Sequence, residues 1–452
     1  MTDITLSDAP RPAPGPSGAP LPMGLKLYRA LTSAAGPLAG AVLSYRLKRG
    51  KEDPARINER RGVAGAPRPD APLIWIHGAS VGESLSVLPL IERLAERRPD
   101  LRILVTTGTV TSARLMAERL PKTAQHQFAP VDRPAYVHAF LDSWRPELAI
   151  FLESEFWPNM ILETRRRGAA LALINGRISP ETYRKWMRRP AFIRRLLTEF
   201  DLRLAQDGKN AERLTELSRG PVGMLGNLKL AAPPLPVEES GLDALRAAVG
   251  DRPVWLASST HPGEEAIIAA AQKELMRSHP ELLCIIVPRH PERGAEIASE
   301  LSDHGLRVGR RAAGELPMAN KEVYVGDTLG ELGLFYRLSD IVLVGGSLVP
   351  KGGHNPLEPA RLRAAILHGP HTYNFVETYA DMRAAGGAAL VRNKGDLAAA
   401  VTRLLADEKT RYAMAAAAMN AAETSAERVL TDILEALDPL MPPAGGRRTA
   451  AA

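Results

Sequence analysis

From Leu73 onward, short apolar runs alternate with longer stretches in which apolar residues recur at helical spacing. LIWIH at 73–77, RILVTT at 102–107, LAIFLE at 148–153 and ALALIN at 170–175 are such runs, and Ser84–Arg97 is one of the amphipathic stretches between them. Strands apolar at consecutive positions must be covered on both faces, so the pattern predicts parallel strands joined by crossover helices. The rhythm breaks at AAPPLPVEESG, 231–241, where paired prolines predict a linker over 231–243. It restarts with VWLAS at 254–258, LLCIIVP at 282–288, VYVG at 323–326, IVLVGG at 341–346 and AILHG at 365–369. The prediction is an α/β chain of two parallel-sheet domains, 56–230 and 244–437, the second closed by the helix-rich segment Asp396–Leu437. Open parallel sheets bind ligands at the carboxyl ends of their strands, so two such domains facing each other would make a cleft.

Residues 1–22, rich in Pro, Ala, Gly and Ser, and residues 438–452 read as flexible tails. Between the first tail and the first domain lies an uncharged stretch, Ala30–Tyr45, with Lys26 and Arg29 before it and Arg46, Lys48, Arg49 and Lys51 after it. Its 16 residues include Gly36, Pro37 and Gly40 and fall short of the roughly 20 that a bilayer core demands. Residues 23–55 are therefore expected to lie in a membrane interface, with a soluble helical hairpin packed on the first domain as the competing reading. The single cysteine, Cys284, excludes an internal disulfide and a multi-cysteine metal site and suits a reducing, cytoplasmic compartment. A net charge of +7 favours polyanionic partners without choosing among them.

The residues that carry chemistry cluster just after the predicted strands. In HGASVGES, 77–84, Glu83 falls in a first helical turn, where an acid complements the helix dipole or, facing a cleft, serves as a general base. ESEFWPN, 153–159, places Glu153 and Glu155 on one side if the strand continues; the plainer reading is a solvated strand end held by Trp157 and Pro158. NGRIS, 175–179, and GNLK, 226–229, offer Arg177 and Lys229 either as surface charges or as partners of an anion. SSTHPGEE, 258–265, reads as a strand end followed by a helix capped by Thr260, whose amides would also suit phosphate. PRHPER, 288–293, holds Arg289 extended between prolines, fit for a phosphate contact, beside His290. DTLGELG, 327–333, is a glycine-bearing turn into a helix, capped by Asp327 and Thr328.

GGSLVPKGGHNPLEPA, 345–360, is the richest segment. Asn355 caps a helix that starts at Pro356, whose free amides would receive a phosphate, and Glu358 lies where a carboxylate accepts hydrogen bonds from both hydroxyls of a ribose. Neither the Walker pattern nor the dinucleotide fingerprint is present, so the expectation is nucleotide binding of another kind.

Taken in order, these eight motifs resemble those of the 3-deoxy-D-manno-octulosonic acid (Kdo) transferases over roughly Arg60–Ala422. Gly78, where Ala is common, and Phe156, in place of the more usual Leu, depart from the family pattern without removing a charge. The resemblance implies the GT-B fold of two Rossmann-like domains and transfer of Kdo from CMP-Kdo to a lipid A precursor on the cytoplasmic side of the inner membrane. It implies no cofactor, no metal and no nucleic-acid partner. Glu83 then resembles the proton acceptor, Glu153 and Lys229 the transition-state stabilisers, and Pro288, Arg289, Leu329, Gly330, Glu331, Asn355, Pro356, Leu357 and Glu358 the CMP site. Two rivals remain from the residues themselves: another GT-B transferase or a nucleotide-sugar epimerase, and a noncatalytic lipid-binding scaffold.

Overall fold

The computed structural model describes residues 20–235 and 237–444. Of the two expected tails, residues 1–19 and 445–452 lie outside the described residues. The chain divides into two compact units at Pro233/Pro234, with the residues from Ala426 on belonging to the first.

In the first unit, strands β1 (Leu73–His77), β2 (Arg102–Thr107), β3 (Ala124–Phe128), β4 (Leu148–Leu152), β5 (Ala170–Gly176), β6 (Leu202–Ala205) and β7 (Gly223–Met224) form one parallel sheet. Their order is β3-β2-β1-β4-β5-β6-β7. The apolar runs sort by parity: Ile74, Ile76 and Ile150 face one core, and Trp75, Ala149 and Phe151 face the other. The chain moves outward from β1 through β3, then returns to pair β4 on the other side of β1, with Ile74 opposite Leu148 and His77 opposite Phe151. Strand order reverses at β1 and β4, which makes their carboxyl ends the ligand-binding position of such a sheet.

The second unit repeats the plan with β8 (Val254–Thr260), β9 (Leu283–Pro288), β10 (Val308–Arg310), β11 (Val323–Val325), β12 (Ile341–Val344), β13 (Ala365–His368) and β14 (Ala388–Leu390). All pairs are parallel, in the order β10-β11-β9-β8-β12-β13-β14, and the reversal falls between β8 and β12.

Three boundaries differ from expectation. The helix Glu408–Leu437 changes units along its length: Val429, Leu430, Ile433, Leu434 and Leu437 pack into the first unit's core, so residues 426–437 do not belong with 244–425. Each such side chain withdrawn from water stabilises by roughly 1.5–3 kcal/mol, enough to hold the helix end there. The linker is shorter than 231–243, because the helix Glu239–Val249 already starts inside it. Residues 438–444 are not a free tail, since Asp438 pairs with Arg97 at 2.6 Å and Pro442 O accepts from Arg98 at 3.1 Å.

Before the first sheet, helices α1 (Met23–Ala34) and α2 (Gly36–Lys48) form a hairpin broken at Ala35, with Pro37 in the opening turn of α2, where its missing N–H costs nothing. Leu25, Tyr28 and Thr32 face inward. Tyr28 donates to Asp132 Oδ2 at 2.9 Å, Asn159 Nδ2 donates to Thr32 Oγ1 at 3.1 Å, and Leu25 packs with Leu162 and Leu196. The packed hairpin is thus realised, yet Met23, Leu27, Leu31 and Leu38 remain 57–76% exposed. No helix among the described residues is long and apolar enough to cross a membrane.

Candidate active site

In the first unit the site assembles after β1, β4 and β5. Ser80 caps helix α3 (Val81–Arg97), its Oγ accepting from Glu83 N at 3.2 Å, while the Glu83 carboxylate accepts from Ser80 Oγ at 2.8 Å and from Ala79 N at 2.7 Å. This is a capping box in which the acid reaches one residue further back than usual. Glu83 thus closes the helix start and is at the same time a buried carboxylate. Burial pushes its pKa up, and the charges of Glu155 and Glu153 push it further, against the two hydrogen bonds. A carboxylate raised in this way is a better base near neutrality.

Glu153 and Glu155 do not share a face as expected. β4 ends at Leu152 and Glu153 adopts φ 50°, so the two-residue alternation stops before it applies. Glu153 turns to Lys229, with Nζ at 2.9 Å from Oε1, and to Arg177 at 3.8 Å. Glu155 turns to His77, whose Nε2 lies 3.5 Å away, and accepts from Trp157 Nε1 at 2.5 Å. Burial raises the Glu155 pKa, but the His77 and Trp157 contacts outweigh it and hold the carboxyl below the usual range. His77 is buried, with Nδ1 at 2.9 Å from Thr106 Oγ1, which also accepts from Trp75 Nε1 at 2.7 Å.

Lys229 is placed by two asparagines. Asn227 Oδ1 accepts from Lys229 N at 3.0 Å, and Asn175 Oδ1 accepts from Leu228 N at 3.1 Å. Asn175 sits at φ 56° where the β5–β6 register shifts, a bulge that re-aims its side chain. A cavity of about 520 Å³ lies next to these residues, lined by Leu38 and Val42 of α2 together with His77, Ala79 and Glu155.

In the second unit the corresponding bulge is at Ser259, φ 56°, between Ser258 and Thr260. Thr260 does not cap the following helix; its hydroxyl donates to Glu265 at 2.9 Å, and the helix starts instead after Gly263. Glu264 is wholly buried and accepts from His261 N, Gly346 N, Ser347 N and Leu348 N at 2.7–3.1 Å. The amides of Gly346, Ser347 and Leu348 after β12 are thus occupied by this carboxylate. Gly345 is required there, because a Cβ would stand 2.6 Å from the carbonyl oxygens of Ser258 and Ser259.

The helix expected to begin at Pro356 is a single turn, Leu357–Ala360, and Asn355 Oδ1 takes the Leu357 N–H at 3.1 Å. So short a helix carries little dipole, and an anion at this turn would meet mainly side chains. Arg289 is exposed after Pro288, its N–H bound to Thr260 O at 3.0 Å. Burial raises the Glu358 pKa, opposed by Asn355, Arg361 and Arg289. Leu329 is 86% exposed on the turn through Gly330, whose φ is 85°, and Glu331 is tied to Arg311 at 2.6 Å. Asp327 does not cap the next helix; it accepts from Arg310 Nε at 2.5 Å and from Ala312 N at 2.8 Å.

Glu83, Glu153 and Lys229 are therefore brought together in the first unit, and Arg289 with Asn355–Glu358 in the second. Sequence reading missed Asn175, His77, His261 and His354. Two parallel Rossmann-like sheets, each with its strand-order reversal, make up the GT-B fold, and a glycosyltransferase from Rickettsia africae shares that fold with a TM-score of 0.55 at 12% identity, covering 82% of this chain and 99% of its own. Residues 55–232 match the family described as 3-deoxy-D-manno-octulosonic-acid transferase (kdotransferase). A 3-deoxy-D-manno-octulosonic acid transferase of Rickettsia felis is 37% identical over 333 residues, 74% of this chain and 71% of its own length. Its counterpart in Haemophilus influenzae is 36% identical over 361 residues, 79% and 84% of the two chains. The chain belongs to the 3-deoxy-D-manno-octulosonic acid transferase family and is an enzyme that transfers Kdo in lipopolysaccharide core biosynthesis.

Proposed function

We propose that this transferase takes Kdo from CMP-Kdo and attaches it to a lipid A precursor of the lipid IVA type, by a direct, inverting and metal-independent displacement at the cytoplasmic face of the inner membrane. The observation that carries the reading is the buried Glu83 carboxylate, held at 2.7 Å by the N–H of Ala79, a residue that lines the same cavity as Leu38 and Val42 of α2. A lipid acceptor lies with its acyl chains along that face and presents a sugar hydroxyl to Glu83. The hydroxyl oxygen attacks the anomeric carbon, the bond from that carbon to the phosphate oxygen breaks, CMP leaves with the electron pair, and Glu83 takes the hydroxyl proton. The centre is oxocarbenium-like as the bond breaks, and the Glu153–Lys229 pair supplies fixed charge to stabilise it.

In the second unit Pro288, Arg289, Leu329–Glu331 and Asn355–Glu358 hold CMP, with Glu358 on the ribose and Arg289 on the phosphate. The exposed Lys26, Lys48, Arg49 and Lys51 meet anionic headgroups while Met23, Leu27 and Leu31 enter the interface. Mass spectrometry of the lipid after incubation with CMP-Kdo and a tetraacylated lipid A precursor tests the whole reading. One or more added Kdo units are expected. Product only from UDP-sugars would favour the other GT-B chemistries, and no product from any donor would leave a binding scaffold.

A further inference from the structure

Two histidines beside the nucleotide residues have no place in this scheme. His261 Nε2 and His354 Nε2 are 2.9 Å apart, the ring planes differ by 2°, and the centroids are 5.1 Å apart. So wide a centroid separation at so short a nitrogen contact means that the rings meet edge to edge in nearly one plane. One ring donates and the other accepts, so the pair shares a proton as a unit.

The pair is built, not incidental. Glu264 fixes His261 N and Gly346 N on one carboxylate, His354 N donates to Gly345 O at 3.1 Å, and Tyr379 OH donates to His354 O at 2.8 Å. Gly346 gives the rings their seat, since a Cβ there would come within 3.1 Å of His354 and 3.3 Å of His261. His290 stands edge-on to His261 at 5.9 Å. Burial, then His290, Lys351 and Arg289, lower the His261 pKa, with Glu265 alone opposing. Burial, then His261, Arg289 and His290, hold His354 down to about 4. Such a concentration of positive and protonatable groups is unfavourable by itself and is relieved by an anion.

An ulosonic acid bears a carboxylate on the same carbon that bears the phosphate. The donor therefore presents two anions side by side, and CMP alone presents one. We propose that the His261–His354 pair receives the carboxylate of the donor sugar, leaving the phosphate to Arg289, and so distinguishes an ulosonic-acid donor from the bare nucleotide. The inference rests on the CMP-Kdo donor proposed above.

The test compares KM for CMP-Kdo with Ki for CMP in His261→Ala, His354→Ala and the double variant, with thermal unfolding as a check on folding. KM rises about ten- to hundredfold while Ki changes less than about threefold, and the double variant is little worse than either single one, because the pair acts as a unit. If KM and Ki rise together the pair grips the phosphate, and if neither moves it only supports the loop; either result overturns the proposal. Should the alanine variants fail to fold, His261→Asn and His354→Gln decide by the same comparison. Glu358→Ala, read on the CMP Ki alone, separates this question from the nucleotide site, whose failure would show as an unchanged Ki.

Discussion

Lys229 Nζ stands 2.9 Å from Glu153 Oε1, where the loop after β4 meets the turn ordered by Asn175 and Asn227. Each residue needs the other: Glu153 is buried at the strand end, and a buried carboxylate without a cation is costly. Lys229→Ala is expected to lower kcat about 10²- to 10³-fold, as for removal of one fixed stabilising group. Lys229→Ala combined with Glu153→Gln should be far less than the product of the two singles. Additive losses in the kinetic cycle would show that the residues act separately.

Glu83 couples stability to activity in opposite directions. Its pKa is raised in the folded chain, so folding favours the proton on Glu83; that contribution is full below the unfolded carboxyl's pKa and is lost as pH rises through the raised folded value. Above that value the ionised carboxylate is a burden on the fold. Glu83→Gln should therefore unfold at the same or a higher temperature at pH 7 while kcat falls about 10²- to 10⁴-fold. Near-normal turnover of the folded variant would remove Glu83 as the base.

The same electrostatics predict a pH shift. Because the charges of Glu155 and Glu153 raise the Glu83 pKa, Glu155→Gln should move the acid limb of kcat/KM to lower pH, the base now losing its proton more readily. A limb that stays in place would mean that another group titrates there.

How much of this was legible in the chain depended on what covers each segment. Central strands such as LIWIH and IVLV are buried on both faces, and their apolar runs announce them. β3, with the sequence AQHQF, and the three-residue β10 and β14 lie at or next to sheet edges, where less apolar cover is needed, and their pattern is weak. The helix Glu408–Leu437 crosses from one unit to the other at Ser425/Ala426 with no Gly or Pro within it to mark the change. At the site, glycines and charges after strands were readable as chemistry. Glu264 carried no signal of its role, because its amide partners Gly346, Ser347 and Leu348 lie in a distant motif.

Glu264 gives the sharpest structural prediction. Its carboxylate satisfies four buried or part-buried N–H groups, and burial still raises its pKa against them. Glu264→Ala would strand those donors at about 1–3 kcal/mol each, partly relieved if water enters. Calorimetry should show a loss of several kcal/mol, with KM for the donor raised because the loop to Glu358 loses its anchor. A variant as stable as the parent would mean that the amides find other partners.

The outward face of α1 decides the membrane reading. Leu27 and Leu31 are 57% and 61% exposed one helical turn apart, on the side away from Leu25, Tyr28 and Thr32. Burying such a side chain in an acyl boundary is worth roughly 1.5–3 kcal/mol, so Leu27→Glu or Leu31→Glu should weaken binding to vesicles containing phosphatidylglycerol about tenfold or more. Neither residue touches the inward contacts of α1, so the fold and the activity on detergent-dispersed acceptor should persist. Sedimentation with vesicles unchanged in both variants would show that α1 is not the contact, and the apolar residues of α2, Leu38 and Val42, would then be the face to alter.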